Sequence, residues 1–82
     1  MKAFDQVSEI LSELSGVTDI RPTQELRGDL GLDSLQMVTL LMMLEESLGI
    51  VLDEADMNPF DLVSVEQVVL LAEKYLGAEA DA

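Results

Sequence analysis

The chain has 82 residues, 49% of them hydrophobic, enough for one modest core and too few for a catalytic domain beside a substrate domain. It contains neither Cys nor His, which excludes disulfide frameworks, thiolate or imidazole metal sites, cysteine nucleophiles and every triad built on an imidazole base. With 17 acidic against 4 basic residues, the net charge of −13 repels nucleic-acid backbones and anionic lipid surfaces and attracts basic proteins, so neither nucleic acid nor membrane is expected as a partner.

The amino-terminal run Met1-Lys2-Ala3-Phe4-Asp5 leads into an acid-dotted periodic segment and not into the apolar core of an export signal. The longest apolar stretches, 40–44 and 68–72, fall far short of the roughly 20 residues that cross a bilayer. A soluble, cytoplasmic, monomeric protein is expected, and the initiating Met and short tail lean toward a free-standing one. Phe4, Val7, Leu11 and Leu14, with Ile10 alongside, recur at helical spacing and predict a first helix over 3–15, stopped at Gly16. Residues 17–32 contain Pro22, Gly28 and Gly31 and show no periodicity, which reads as a long loop. A loop of that length in a small domain is more often functional than idle, and Ile20, Leu26, Leu30 and Leu32 are expected to pin it in order on the core.

Asp33 followed by Gln36 ahead of a hydrophobic run has the form of a capping box, so a second helix is expected over 34–48, ending at Gly49. Residues 53–58 can supply only a short third helix before Pro59. Ser64 with Gln67 repeats the capping pattern, and Val65, Val68, Val69, Ala72, Tyr75 and Leu76 predict a last helix that stops at Gly77 and leaves 78–82 as a frayed tail. The Val-rich 65–69 piece keeps a small strand open. The expected fold is all-α, a small four-helix bundle in one domain over 1–82, with a long ordered loop between helices one and two and a short third helix.

At about 100° per residue, Met37, Leu40, Leu41, Leu44 and Leu48 share one stripe of the second helix, the expected core seam. Leu35, Val38 and Met42 form a second apolar patch, flanked by Glu45 and Glu46, with Ser34 at its amino-terminal end. Two readings stand open: a central helix buried all round, or a docking strip for a partner with an apolar groove and a basic rim.

The run Asp29-Leu30-Gly31-Leu32-Asp33-Ser34-Leu35 resembles the acyl carrier protein family, whose hallmark is an Asp-Ser-Leu triplet opening the second helix. The resemblance covers nearly the whole chain. It implies that Ser34 receives a 4′-phosphopantetheine arm from coenzyme A through a phosphopantetheinyl transferase, and that the terminal thiol of the arm then carries an acyl group as a thioester. It also implies that Asp33, as helix cap and transferase contact, and Leu35, Val38, Met42, Glu45 and Glu46 meet partner enzymes, namely acyl-loading and acyl-processing enzymes with basic docking surfaces. The first turn of a helix suits the negative charge of a phosphodiester. Lys2, Arg21, Arg27 and Lys74 are all distant in sequence from Ser34, and without His nothing obvious activates its hydroxyl, so a non-catalytic carrier is expected. A chain without Cys must import the sulfur of any thioester.

Fatty-acid-synthesis carriers usually place an acid directly after the triplet and another three residues on, where this chain has Gln36 and Thr39. The 53–64 segment, with Met57-Asn58-Pro59-Phe60, is also longer than the usual link between the last two helices. Fatty acid, polyketide and specialised lipid synthesis all stay open, as does an aminoacyl or peptidyl carrier of a nonribosomal or amino-acid-activating pathway. From another class, an acidic helical interaction module without a prosthetic group competes. An EF-hand starting at Asp53 fails because Ala55 and Met57 fall where oxygen ligands belong.

Overall fold

A computed structural model describes residues 2–80, with side chains over 3–77. Its elements are three α-helices, α1 (Lys2–Ser15), α2 (Ser34–Leu48) and α3 (Val65–Ala80), and two single 3₁₀ turns, Glu54–Asp56 and Pro59–Asp61. The protein is all-helical; the described residues form one isolated antiparallel bridge, Glu25 with Ser64, and no strand. The 65–69 piece is therefore helix; the 53–58 stretch expected to give a short third helix holds the single 3₁₀ turn Glu54–Asp56, and a second turn, Pro59–Asp61, opens at Pro59 itself. None of the helices is long and apolar enough to cross a membrane, among the described residues.

Each boundary has a local cause. Asp33 caps α2, and at its other end Gly49 takes φ 66°, a left-handed conformation open to Gly at little cost, and donates its N–H to the Glu45 carbonyl. α3 differs from expectation at its end: it runs through Gly77 to Ala80. One interior Gly costs a helix only about 1 kcal/mol, and the Ala-Glu-Ala that follows favours continuation. Positions 81–82 of the expected tail lie outside the described residues.

α1 packs on both α2 and α3, and α2 also meets α3 and the Pro59–Asp61 turn. The core at their junction is wholly apolar, with Val7, Leu11, Met37, Leu40, Leu44, Val65, Val68 and Ala72 fully shielded from water. Burying one such side chain contributes about 1.5–3 kcal/mol, which is how helices of this length, marginal alone, become stable together. The 16–33 loop is pinned as expected, since Ile20, Leu26, Leu30 and Leu32 are all buried. Its backbone is satisfied by short-range bonds, including Leu30 N–H to Glu25 O at 3.1 Å and Leu32 N–H to Leu26 O at 3.0 Å. It is joined to the entry of α3 by Leu26 N–H to Val63 O at 2.8 Å and Val65 N–H to Gln24 O at 3.0 Å. This loop delivers the chain to Asp33 and so sets where α2 begins.

Candidate functional site

Gly31 turns the chain with φ 71° just before the cap, and Leu32 sinks into the core. Asp33 then adopts extended backbone and completes a reciprocal capping box. Its carboxylate accepts the Gln36 N–H at 2.8 Å, and the Gln36 carbonyl oxygen accepts the Asp33 N–H at 3.1 Å. Ser34, the first helical residue, is exposed and takes no part in the cap. Intrahelical bonding begins with Met37 N–H to Asp33 O, so the N–H groups of Ser34 and Leu35 are left over by both helix and cap. Two donors without a partner among the described residues, at the positive end of a 15-residue helix, form a setting that favours an anionic group on the Ser34 oxygen.

The rest of α2 separates into the two faces read from its spacing. Met37, Leu40, Leu41 and Leu44 are buried and Leu48 is half-buried. Leu35, Val38 and Met42 stand out of the surface, with Leu35 79% and Met42 59% exposed, so the helix is not buried all round. Glu46 is exposed beside this strip. Glu45 is placed differently: it is half-buried, and its carboxylate accepts the Leu52 N–H at 3.0 Å, holding the chain as it leaves α2.

Further exposed apolar side chains that sequence reasoning left out occur on the segment packed against α2. Phe60 and Val63 are exposed, and with Glu25, Arg27, Gly28 and Leu62 they line an open groove of about 250 Å³. The Arg27 guanidinium lies 5.0 Å from the centroid of the Phe60 ring. An apolar pair inside a turn, Pro59-Phe60, was the available signal. Of the other cations, Arg21 pairs with Asp19 at 2.8 Å and Lys74 with Asp56 at 3.0 Å. Each of these three cations is thus engaged with a group other than Ser34.

Residues 5–72 match the family described as "Phosphopantetheine attachment site". The chain is 38% identical over 76 residues to the acyl carrier protein of Thermotoga maritima, covering 90% of this chain and 91% of that protein. It is 32% identical to the acyl carrier protein of Saccharopolyspora erythraea, over 73% of this chain and 65% of that one. To the acyl carrier protein of Nitratidesulfovibrio vulgaris it is 34% identical, over 68% of this chain and 76% of that one. An exposed serine opening a capped helix, inside a match of this extent, makes the chain a member of the acyl carrier protein family, whose prosthetic group is 4′-phosphopantetheine.

Proposed function

We propose that Ser34 is the residue that carries the 4′-phosphopantetheine arm and that the protein delivers acyl intermediates to biosynthetic enzymes without catalysing their chemistry. The observation that carries this reading is the first turn of α2. Its cap is completed by Asp33 and Gln36 alone, while Ser34 stays exposed with two uncommitted N–H donors, its own and that of Leu35. These donors and the helix dipole favour the phosphodiester charge over the neutral hydroxyl. When bound, the group supplies the terminal thiol on which acyl cargo is held as a thioester, chemistry that a chain without Cys cannot provide.

The chain's own residues bind and orient. Leu35, Val38 and Met42 offer an apolar strip that begins beside Ser34, and Glu46 gives a basic partner rim its opposite charge. Asp33 holds the helix start that a transferase must recognise. Glu45 contributes from behind the strip by fixing the chain at Leu52. The partners in this reading are a phosphopantetheinyl transferase and acyl-loading and acyl-processing enzymes in the cytoplasm, meeting a monomeric carrier.

The cargo we assign is an acyl group of fatty acid, polyketide or specialised lipid synthesis. An aminoacyl cargo is the second reading, favoured by uncharged Gln36 and Thr39 where fatty-acid carriers usually have acids. Intact mass tests the attachment: incubation with a phosphopantetheinyl transferase and coenzyme A adds one arm, and Ser34→Ala abolishes the addition. A mass that does not change, or a gain that survives Ser34→Ala, overturns the assignment.

A further inference from the structure

The side chain of Gln36 does two jobs with its two polar atoms. Its oxygen accepts the Asp33 N–H at 3.1 Å and closes the cap of α2. Its amide nitrogen donates to the Leu14 carbonyl at 3.1 Å, across 22 residues of sequence. That carbonyl belongs to the last turn of α1, where helix geometry leaves it without an intrahelical partner. Two carbonyls just upstream are satisfied within the segment, Leu11 O by the Ser15 hydroxyl at 2.7 Å and Ser12 O by the Gly16 N–H at 2.8 Å. One amide therefore caps the start of α2 and the end of α1 together.

The second capping box of the molecule is a built-in control. Gln67 accepts the Val63 and Ser64 N–H groups through its oxygen, but it is exposed, and its nitrogen makes no bond to another helix among the described residues. Gln36 is half-buried where it crosses to α1. The cross-helix tie thus does not come automatically with the motif. A carboxylate at position 36 could keep the cap, since Glu is a usual partner in such boxes, but would turn lone pairs toward the Leu14 carbonyl. Of the acidic and amide side chains of this length, only the amide carries both a donor and an acceptor.

We infer that Gln36 is a positioning residue, bracing the first turn of α2, and with it Ser34, against the end of α1, so that the hydroxyl is presented in one orientation for arm attachment. This rests on Ser34 being the attachment residue. The brace acts through Asp33 and the helix start and does not touch the transferase-facing strip of Val38 and Met42, so its loss is felt in turnover more than in docking.

The test compares the natural sequence with Gln36→Glu, Gln36→Met and the control Gln67→Glu, using coenzyme A and a phosphopantetheinyl transferase. Gln36→Glu removes the donor to Leu14 and keeps the cap; Gln36→Met removes both. One hydrogen bond of ordinary net strength corresponds to about fivefold, so Gln36→Glu lowers kcat for attachment by about that factor with KM changed less than about twofold. Gln36→Met lowers it further, and Gln67→Glu leaves it unchanged. Amide hydrogen exchange over 33–37 rises in both position-36 variants with or without transferase, which reads the brace independently of modification. A raised KM with constant kcat makes Gln36 a docking contact and overturns the inference, as do unchanged exchange over 33–37, unchanged kinetics, or faster attachment to Gln36→Glu. Failure of the underlying reading looks different: the natural sequence takes no arm, or Ser34→Ala still takes one.

Discussion

The two connectors of the bundle, 16–33 and 49–64, are similar in length and are held by opposite means. The first is nailed down by apolar side chains, Ile20, Leu26, Leu30 and Leu32, and its backbone bonds are mostly local. The second buries only Ile50 and Leu52 and leaves Val51, Met57, Phe60 and Val63 exposed. It is secured by side chains that reach out from the helices. Glu45 takes the Leu52 N–H, Gln67 the Val63 N–H, and the Tyr75 hydroxyl accepts the Asp53 N–H at 2.8 Å while donating to the Asp56 carboxylate, which Lys74 also meets. Apolar burial is insensitive to pH and is lost only with the fold. Polar ties exposed to water compete with it and titrate. The connector that leads to Ser34 is thus part of the core, and the one that packs against α2 through its Pro59–Asp61 turn is a strapped-on segment.

The largest effect should come from the first connector. Leu26 is completely shielded, so Leu26→Ala should cost about 2–5 kcal/mol, read from urea or thermal unfolding as a cooperative shift of the whole molecule. A loss under about 1 kcal/mol would mean that the loop collapses into the space and is not the core anchor described.

The strap of the second connector should respond to pH, in a direction that the geometry sets. The Tyr75 hydroxyl, and then Lys74, hold the Asp56 carboxyl below the usual carboxylate range. Its contribution is therefore full above the unfolded pKa near about 4 and is lost as pH falls through the lower folded value. Donation to Asp56 pushes the Tyr75 phenol up, so that contribution is full below the unfolded value near about 10 and is lost as pH rises through the raised folded one. Lys74, raised by the same carboxylate, follows the same sign. The strap should hold across the neutral range and loosen at both ends, with the Asp53 amide resonance as the reporter. Tyr75→Phe should shift that resonance at neutral pH and remove its alkaline transition, while the unfolding midpoint moves much less than in Leu26→Ala. A flat titration in the natural sequence would show that the strap does not form in solution.

The contrast also marks what could be read from residue order. Capping at Asp33 and Gln36 and the two apolar stripes of α2 are local or periodic, and spacing is enough to find them; the anchoring of the first loop, which has no period, is legible from its apolar residues alone. The contacts that were not legible span the chain. Gln36 reaches Leu14, Tyr75 reaches Asp56, and Glu45, which looks like a surface acid by period, bends to Leu52. Periodicity names the face of a helix; it does not name the backbone group that will stand opposite once helices pack. The end of α3 was misplaced for a related reason, because Gly77 is a stop only where the chain needs a left-handed turn, and here it continues as helix.

The smallest effect separates exposed apolar residues that matter for stability from those that do not. Val51 is 83% exposed between two buried neighbours, Ile50 and Leu52. Those neighbours, with the Leu52 N–H bond to Glu45, fix the backbone there without help from the Val51 side chain. Val51→Thr keeps the β-branch and adds a hydroxyl in water, so unfolding free energy should stay within about 0.5 kcal/mol of the natural sequence. A larger loss would mean that Val51 is covered in solution, and dilution would then distinguish a self-association that shields it from a rearrangement within one chain. If the loss vanished on dilution, the strapped connector would be a surface through which copies of this chain meet.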